Sequence, residues 1–489
     1  MAALSAIVKQ SPVFKYVLPC LFISLFGLLY YVVVYTKLDL TILVPSKSSF
    51  GKLQFITNGF TFSNQSLHLY GSYISRDGSV ASHNETYISL DGNMIEGIRS
   101  RYITAKQIEF ERMCPKIHVT SVSCSALFDG DVVETERVKA VMENQTRQQK
   151  PAELYIELTQ NCDTFKRKRG YVTKTLTEEE KHFPLAFTLL MFKDVEQVDR
   201  LLRAVYRPQN YYCVHVDSKA EAKVKDAMRG IVGCFNNVFF SSRFVDVQWG
   251  TYSVLEPELI CMEELWKYKK WKYFINLTGQ EFPLKTNFEL VKILKAYNGA
   301  NDLEGTVKRA NTGRFQKAGD PPHGITPVKG SVHIVVNRGF VDYVLHNKTA
   351  QDFLSWVKKV EVPDETFFTS LNHNAHLRVP GAYLGNPETD RVIKPFLARF
   401  KNWGNEPFDW PCEGQRVRLI CIFGIGDLPL LRSRPELFTN KFYWDYQPYA
   451  LDCMEELHYN RTRDEYLGRR SFDDSYYKTL SFVKNKVPL

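Results

Sequence analysis

The sequence has no Cys-x-x-Cys pair and no His-x-x-x-His. Both are common ligand spacings, so no zinc-type site is written into a single short segment. A Gly-x-x-x-x-Gly-Lys-Ser/Thr loop is also missing, which removes the P-loop nucleotide hydrolases. Long basic blocks are absent, although the formal net charge is +9 over 489 residues. Charge dispersed in this way argues against a nucleic-acid partner, and a mildly basic surface suits an anionic small molecule just as well. There is no internal repeat and no low-complexity tract. What is present is a chain too long for one average domain, with 44% hydrophobic residues, enough for a large core.

Charge is also missing locally, from Tyr16 to Thr36 (YVLPCLFISLFGLLYYVVVYT). At ~1.5 Å per residue that run spans a ~30 Å hydrocarbon layer. It is long for a signal-peptide core, and no clean small-residue cleavage site follows. A buried helix or an uncleaved signal sequence is the alternative to a membrane anchor. Lys9 and Lys15 precede the run, which favours a cytosolic tail at 1–15, a signal-anchor at 16–36 and a luminal remainder. Nine of the ten cysteines lie beyond the anchor, as do six Asn-x-Ser/Thr sequons at Asn64, Asn84, Asn144, Asn276, Asn347 and Asn460. Both features suit an oxidising compartment. Asn276 lies within the apolar run FINLTG and is expected to be buried.

A third glycine is what CIFGIGDLP (421–429) lacks. Gly424 and Gly426 are present, but Pro429 occupies the place where a dinucleotide fingerprint needs its last glycine. These glycines are expected to make a tight turn, not a phosphate loop. The cations flanking them, Arg418 and Lys441, are of more interest, because two positive side chains can neutralise a diphosphate without a metal ion. Asp129-Gly-Asp131 is an Asp-x-Asp, but it precedes the nucleotide-binding half. After strand 272–278, where a sugar-nucleotide metal site would fall, TGQEFP offers only Glu281.

Hydrophobic patterning predicts the organisation. Residues 37–120 read as a stem, either a few exposed strands or loosely ordered chain. A catalytic domain is expected over 121–489. PLAFTLLMF (184–192) is a buried strand, and the helix that follows carries Val195, Val198, Leu202 and Val205 on one face. YYCVHVD (211–217), a helix at 224–232, a strand at 238–241, a helix at 253–268 and a strand at 272–278 continue an α/β, Rossmann-type pattern. In such sheets ligands bind at the carboxyl ends of strands, which is where Asp217 falls; a turn or N-cap aspartate is the plainer alternative. Asp364 and Glu365 follow Pro363 at a helix start. They either complement the helix dipole or supply a general base.

YYCVHVDSK, INLTGQEFPLKT, VPDE and PCEGQRVRLICIFGIGDL with LFTNKF, in one order over roughly residues 120–460, resemble the β-1,6-N-acetylglucosaminyltransferases of the core 2 and I-branching type, and more distantly the protein O-xylosyltransferases. The resemblance implies a type II Golgi membrane enzyme with a GT-A-like fold. Such an enzyme transfers GlcNAc from UDP-GlcNAc to a 6-hydroxyl of an acceptor sugar, with inversion and without a metal. It implies Glu365 as the base and Arg418 with Lys441 as the diphosphate-neutralising pair. Leu190, Met191, Phe192, Asp217, Ser218, Lys219 and Trp249 would lie around the donor nucleotide, and Glu304, Arg314 and Trp403 around the acceptor. It also implies the bridges Cys124–Cys453, Cys162–Cys234, Cys213–Cys261 and Cys412–Cys421. Cys20 is then in the anchor, and Cys114 is left free or available to join two chains as a homodimer. Two departures stand out. Thr278 replaces a family cysteine, and ARFKNWGN keeps Trp403 but has Asn405 where the family has tyrosine, which puts the acceptor in question. A transferase with another donor such as UDP-xylose, and a non-catalytic glycan-binding protein of the same fold, are the alternatives.

Overall fold

The computed structural model describes residues 39–46, 49–62, 66–74, 80–89, 92–143, 148–404 and 410–489. The expected tail at 1–15 and anchor at 16–36 lie outside the described residues, and so does Asn405. Among the described residues no helix is long and apolar enough to cross a membrane. The chain divides into two units at Arg112/Met113. In the first, β1 (Asp39–Ser46), β2 (Ser49–Phe62), β3 (Ser66–Ile74) and β4 (Val80–Ser89) form an antiparallel meander in sequence order. The helix α1 (Gly92–Met113) follows. Of the region 37–120, residues 39–89 contain the strands of one of the two alternatives, and Gly92–Met113 is a helix that neither alternative included.

The second unit is organised by a six-stranded mixed sheet. β5 (Leu185–Met191), β6 (Tyr211–Val216) and β7 (Val238–Phe240) run outward in parallel, and β8 (Tyr273–Thr278) returns to the other side of β5. The short β10 (Asp302–Leu303) and β11 (Ile334–Asn337) extend that edge antiparallel, in the order β10-β11-β8-β5-β6-β7. The strands are continuous runs of buried apolar residues, as expected when both faces are covered. Helices α2 (Val195–Val205), α3 (Ala222–Gly233) and α5 (Asn287–Tyr297) pack one face, and α4 (Glu256–Trp266) the other. The strand order reverses at β5, with β6 on one side and the parallel β8 on the other, which opens a crevice at their carboxyl ends, where Gly279 N donates to Leu190 O (3.0 Å).

A third cluster of core residues lies beside β9 (Glu281–Pro283), which pairs with β15 (Phe438–Asn440) and through it with β12 (Arg399–Phe400). A buried polar centre ties this small sheet to the large one. Glu281 Oε2 accepts from Arg399 Nε (2.9 Å), and its Oε1 accepts from Thr278 (2.9 Å) and Asn440 (3.3 Å). The one acid of TGQEFP is therefore 1% exposed and committed to Arg399.

Four disulfides join Cys124–Cys453, Cys162–Cys234, Cys213–Cys261 and Cys412–Cys421. Cys114, expected to be free or available to join two chains, is unbridged within this chain. It is buried, its thiol donates to Gly170 O (3.0 Å), and burial pushes its pKa up to about 11. No sulfur is exposed there for a second chain to reach, and a thiol this hard to ionise is a poor nucleophile for exchange.

Candidate functional site

The carboxyl ends of β5 and β6 bring together the residues expected around the donor nucleotide. Leu190 and Met191 end β5, and Phe192, just beyond, is 49% exposed. Met191 O accepts from Asp217 N (2.8 Å), which locks the end of β6 against β5. Asp217 turns back on its own loop: its carboxylate accepts from Lys219 N (2.9 Å) and Lys219 Nζ (3.0 Å). Lys219 Nζ also donates to Asp246 (2.7 Å) and Val247 O (2.6 Å), and Ser218 N donates to Val245 O (3.0 Å). Lys219 thus clamps the segment 245–247 to the end of β6. That segment leads directly to Trp249, which is 83% exposed on a turn closed by Gly250.

Gly250 O accepts from Val362 N (2.9 Å), so the Trp249 turn abuts the start of VPDE. Residues Pro363–Glu365 form one 3-10 turn after a left-handed Val362, and the helix α6 (Phe367–His373) begins only beyond Thr366. The two acids face different surroundings. Asp364 is buried, and desolvation together with the neighbouring Glu365 raises its pKa to about 6. Glu365 keeps 30% of its side chain exposed, and its Oε2 accepts from Arg314 Nη1 (2.7 Å). Arg314, expected near the acceptor, is the cation paired with Glu365.

On its other side the same turn reaches the segment beside Glu304, which was expected near the acceptor, since Gly330 N donates to Glu365 O (2.7 Å). Beside Gly330, Ser331 Oγ accepts from Lys401 Nζ (2.9 Å), and Lys401 pairs with Glu304 (3.3 Å). Thr369 on α6 donates to Glu304 O. Burial alone would raise the Glu304 carboxyl, but the charges of Lys401, Lys329 and Arg309 outweigh it and hold Glu304 below its ordinary pKa. Lys401 was not singled out from the sequence; only its place between Arg399 and Trp403 in ARFKNW marks it.

Trp403 pairs by a backbone bridge with Ile420, and Gly404 N donates to Leu419 O (3.0 Å). These bonds fix the hairpin of β13 (Gln415–Val417) and β14 (Ile420–Ile422), whose two-residue tip is Arg418–Leu419. Both tip residues have positive φ (49° and 71°), the requirement of a tight hairpin turn normally met by Asn-Gly. Arg418 is exposed at this tip. Lys441 follows β15, and its carbonyl accepts from Phe423 N (3.1 Å), just past β14. The hairpin that carries Arg418 and the strand that carries Lys441 are therefore direct neighbours.

CIFGIGDLP is the turn expected. Asp427 accepts from Gly424 N (2.8 Å) and Glu413 N (2.9 Å), and Gln447 accepts from Ile425 N (2.9 Å). The loop amides are thus already occupied and do not form a phosphate cradle. A Cβ on Gly424 would lie 2.4 Å from Gln447 Oε1, and one on Gly426 2.6 Å from Glu413 Cβ, so these glycines serve close approach. Asp129-Gly-Asp131 is equally structural: Asp129 pairs with Arg432 (2.6 Å), and Asp131 caps the amide of Glu134 (3.0 Å). Among the described residues, Cys412, Cys421 and Asp427 form the one group with metal-ligand proximity, and its two sulfurs are spent in a disulfide.

The family model for the Core-2/I-branching enzyme matches residues 185–432, which span every strand of the large sheet and the Arg418 hairpin. Among curated proteins, the human beta-1,3-galactosyl-O-glycosyl-glycoprotein beta-1,6-N-acetylglucosaminyltransferase is 33% identical over 73% of this chain and 89% of its own length. A bovine protein of the same name is 35% identical over 69% of this chain and 84% of its own. A human relative with that name and the numeral 3 is 35% identical over 69% and 82%. The chain belongs to the Core-2/I-branching enzyme family, a family of glycosyltransferases.

Proposed function

We propose that this protein is an inverting, GT-A-like β-1,6-N-acetylglucosaminyltransferase. It moves GlcNAc from UDP-GlcNAc to a 6-hydroxyl of a mucin-type O-glycan, in a core 2-like branching reaction. It acts on the luminal side of the Golgi membrane, held by residues 16–36. The observation that carries this reading is the position of one carboxylate. The turn that bears Glu365 is hydrogen-bonded on one side to the Trp249–Gly250 turn and on the other to Gly330, beside Ser331, Lys401 and Glu304. A base in that place touches both the donor side and the acceptor side.

In the proposed reaction Glu365 takes the proton of the acceptor 6-hydroxyl. The freed oxygen attacks the anomeric carbon of GlcNAc, the bond to the diphosphate oxygen breaks on the opposite face, and the electron pair leaves with UDP. Arg314 holds Oε2 of Glu365 and so aims the other oxygen at the acceptor. Arg418 and Lys441 meet the charge that develops on the diphosphate, the role a divalent ion plays elsewhere. Asp217, Ser218, Lys219 and residues 190–192 hold the nucleotide, and the exposed ring of Trp249 covers the donor. Trp403 and Glu304 seat the acceptor sugar.

The test is incubation with UDP-GlcNAc and a core 1 disaccharide, followed by linkage analysis of the product. A new β-1,6 linkage supports the reading, whereas transfer from UDP-xylose in its place would reassign the donor. Glu365→Gln should lower kcat by about 10²–10⁴-fold, the range for loss of a general base, while UDP affinity and melting temperature stay unchanged. Activity should survive EDTA; a strict manganese requirement would remove the role given to Arg418 and Lys441.

A further inference from the structure

The acceptor side carries more positive charge than a neutral sugar needs. Thr306 and Lys329 form an antiparallel bridge, with Thr306 N to Lys329 O at 2.8 Å and Lys329 N to Thr306 O at 3.0 Å. In such a pairing, residues two apart on each strand share a face. Glu304, Thr306, Lys329 and Ser331 therefore point the same way, and Lys401 confirms it by bonding both Glu304 and Ser331. Between Gly305 and Gly330 the chain has Lys308, Arg309, Arg314, Lys317 and Lys329 against a single acid, Asp320.

Among the described residues, the acids Glu304, Glu388 and Asp390 beside this face are already committed. Glu304 is held by Lys401. Glu388 spends one oxygen on the amides of Val307 and Lys308 (2.9 Å each) and the other on the Thr306 hydroxyl (2.7 Å). Asp390 is turned onto the amides of Val392 and Ile393. Arg314 is taken by Glu365, and Arg309 donates to Thr389 O (2.9 Å). Lys329 is half-buried, and among the described residues its ammonium has neither a hydrogen-bond acceptor nor a carboxylate partner, although its charge is felt at Glu304. Lys308 is exposed beside it in the chain that follows Thr306. A half-buried ammonium with no direct ion-pair partner among the described residues, one residue from the Gly330 amide that bonds Glu365, is a binding position for an anion.

We propose that Lys329, with Lys308 and Arg309, binds an acidic group on the acceptor glycan, a carboxylate or a sulfate ester, next to the sugar that receives GlcNAc. This rests on the function proposed above and names its acceptor class. Among the described residues Lys329 has no ion pair for the acid to displace, so the contact there adds charge-assisted hydrogen bonds.

The experiment compares kcat/KM for three acceptors: the neutral core 1 disaccharide, the same disaccharide with a sulfate ester, and the same disaccharide with a sialic-acid carboxylate. The full-length enzyme should favour at least one acid-bearing form by about three- to tenfold, with the preference shrinking as salt is raised. Preference for the sulfated form alone, the sialylated form alone or both identifies the source of the acid. Lys329→Gln should bring the ratio close to one and leave the neutral acceptor within about twofold. If Lys329→Gln melts early, the double variant Lys308→Gln/Arg309→Gln should lower the same ratio. Equal use of all three acceptors, or a ratio that neither variant changes, overturns the proposal. Failure to transfer GlcNAc to any of them would instead sink the function proposed above. Direct titration of the three disaccharides into the wild-type and Lys329→Gln proteins then decides the anion question by itself: tighter binding of an acidic form that the variant loses supports it, and equal binding refutes it.

Discussion

Replacing Glu258 by glutamine tests the electrostatics of the sheet beneath the site. Glu258 lies on α4, fully buried, with Oε1 accepting from Asn276 Nδ2 (2.9 Å). Its Oε2 and the Thr188 hydroxyl lie buried together without a completed bond. Desolvation, with the nearby charge of Glu281 added, raises the carboxyl to about 8 from an ordinary 4.5. Between those two values the folded protein holds a proton that the unfolded chain has released. Unfolding free energy therefore falls as pH rises through that window, and below 4.5 the contribution vanishes. At pH 7 the penalty is about 3 kcal/mol, from roughly 2.5 pH steps of 1.36 kcal/mol each.

Glutamine copies the shape of the protonated acid, keeps an oxygen for Asn276, and offers an N–H to Thr188. The variant and the wild type should match near pH 4.5 and diverge upward, with Glu258→Gln more stable by about 3 kcal/mol at pH 7, or about 4 °C for a unit of this size. Urea or thermal melts at half-unit steps from pH 5 to 8 read this directly, and only the difference between the two proteins matters, since other buried acids titrate equally in both. Two parallel curves, or a glutamine variant that is less stable at pH 7, would refute the claim that Glu258 is protonated in the fold.

Other perturbations bear on the site itself. Gly330→Ala places a Cβ 2.5 Å from Glu304 O and 2.6 Å from Thr369 Oγ1; overpacking of this kind costs about 1–3 kcal/mol, and acceptor KM should rise more than donor KM in steady-state assays. Cys412→Ser opens a bridge with a sequence separation of 9, worth about 2–3 kcal/mol, and should weaken UDP binding in calorimetry because the Arg418 hairpin loses its brace. Cys162→Ser should lower the melting temperature without that loss of affinity. Asn276 gives both its amide protons, to Glu258 and to Val332 O (2.7 Å), and accepts from Ile334 N (2.8 Å). Asn276→Gln should therefore leave the glycan mass unchanged in mass spectrometry while lowering stability by about 1–3 kcal/mol.

The strands of the large sheet were legible because each is a short apolar run bounded by polar turns, and the predicted 184–192, 211–217 and 272–278 differ from the observed β5, β6 and β8 by one residue at one or both ends. The two-residue β10 and four-residue β11 were not, because segments so short carry no readable period and are fixed by register against β8. The site divides in the same way. Asp217 follows from topology, as a residue at a strand end, whereas Leu190 and Met191 come from the resemblance. The partners of Glu365 and Glu304 follow from neither: Arg314 is 51 positions from Glu365, and Lys401 is 97 from Glu304. Spacing of that length has no local signature, so which cation meets which acid is decided only when the loop 305–330 folds across the carboxyl edge of the sheet. The consequence is chemical. The sequence alone leaves Asp364 and Glu365 as equivalent neighbours on a helix start, but folding buries the first, which burial keeps partly protonated near neutral pH, and leaves the second exposed and held by an arginine. A base must be reachable by the sugar hydroxyl, and of the two acids Glu365 is the more exposed, which is why the proposed reaction gives it that role.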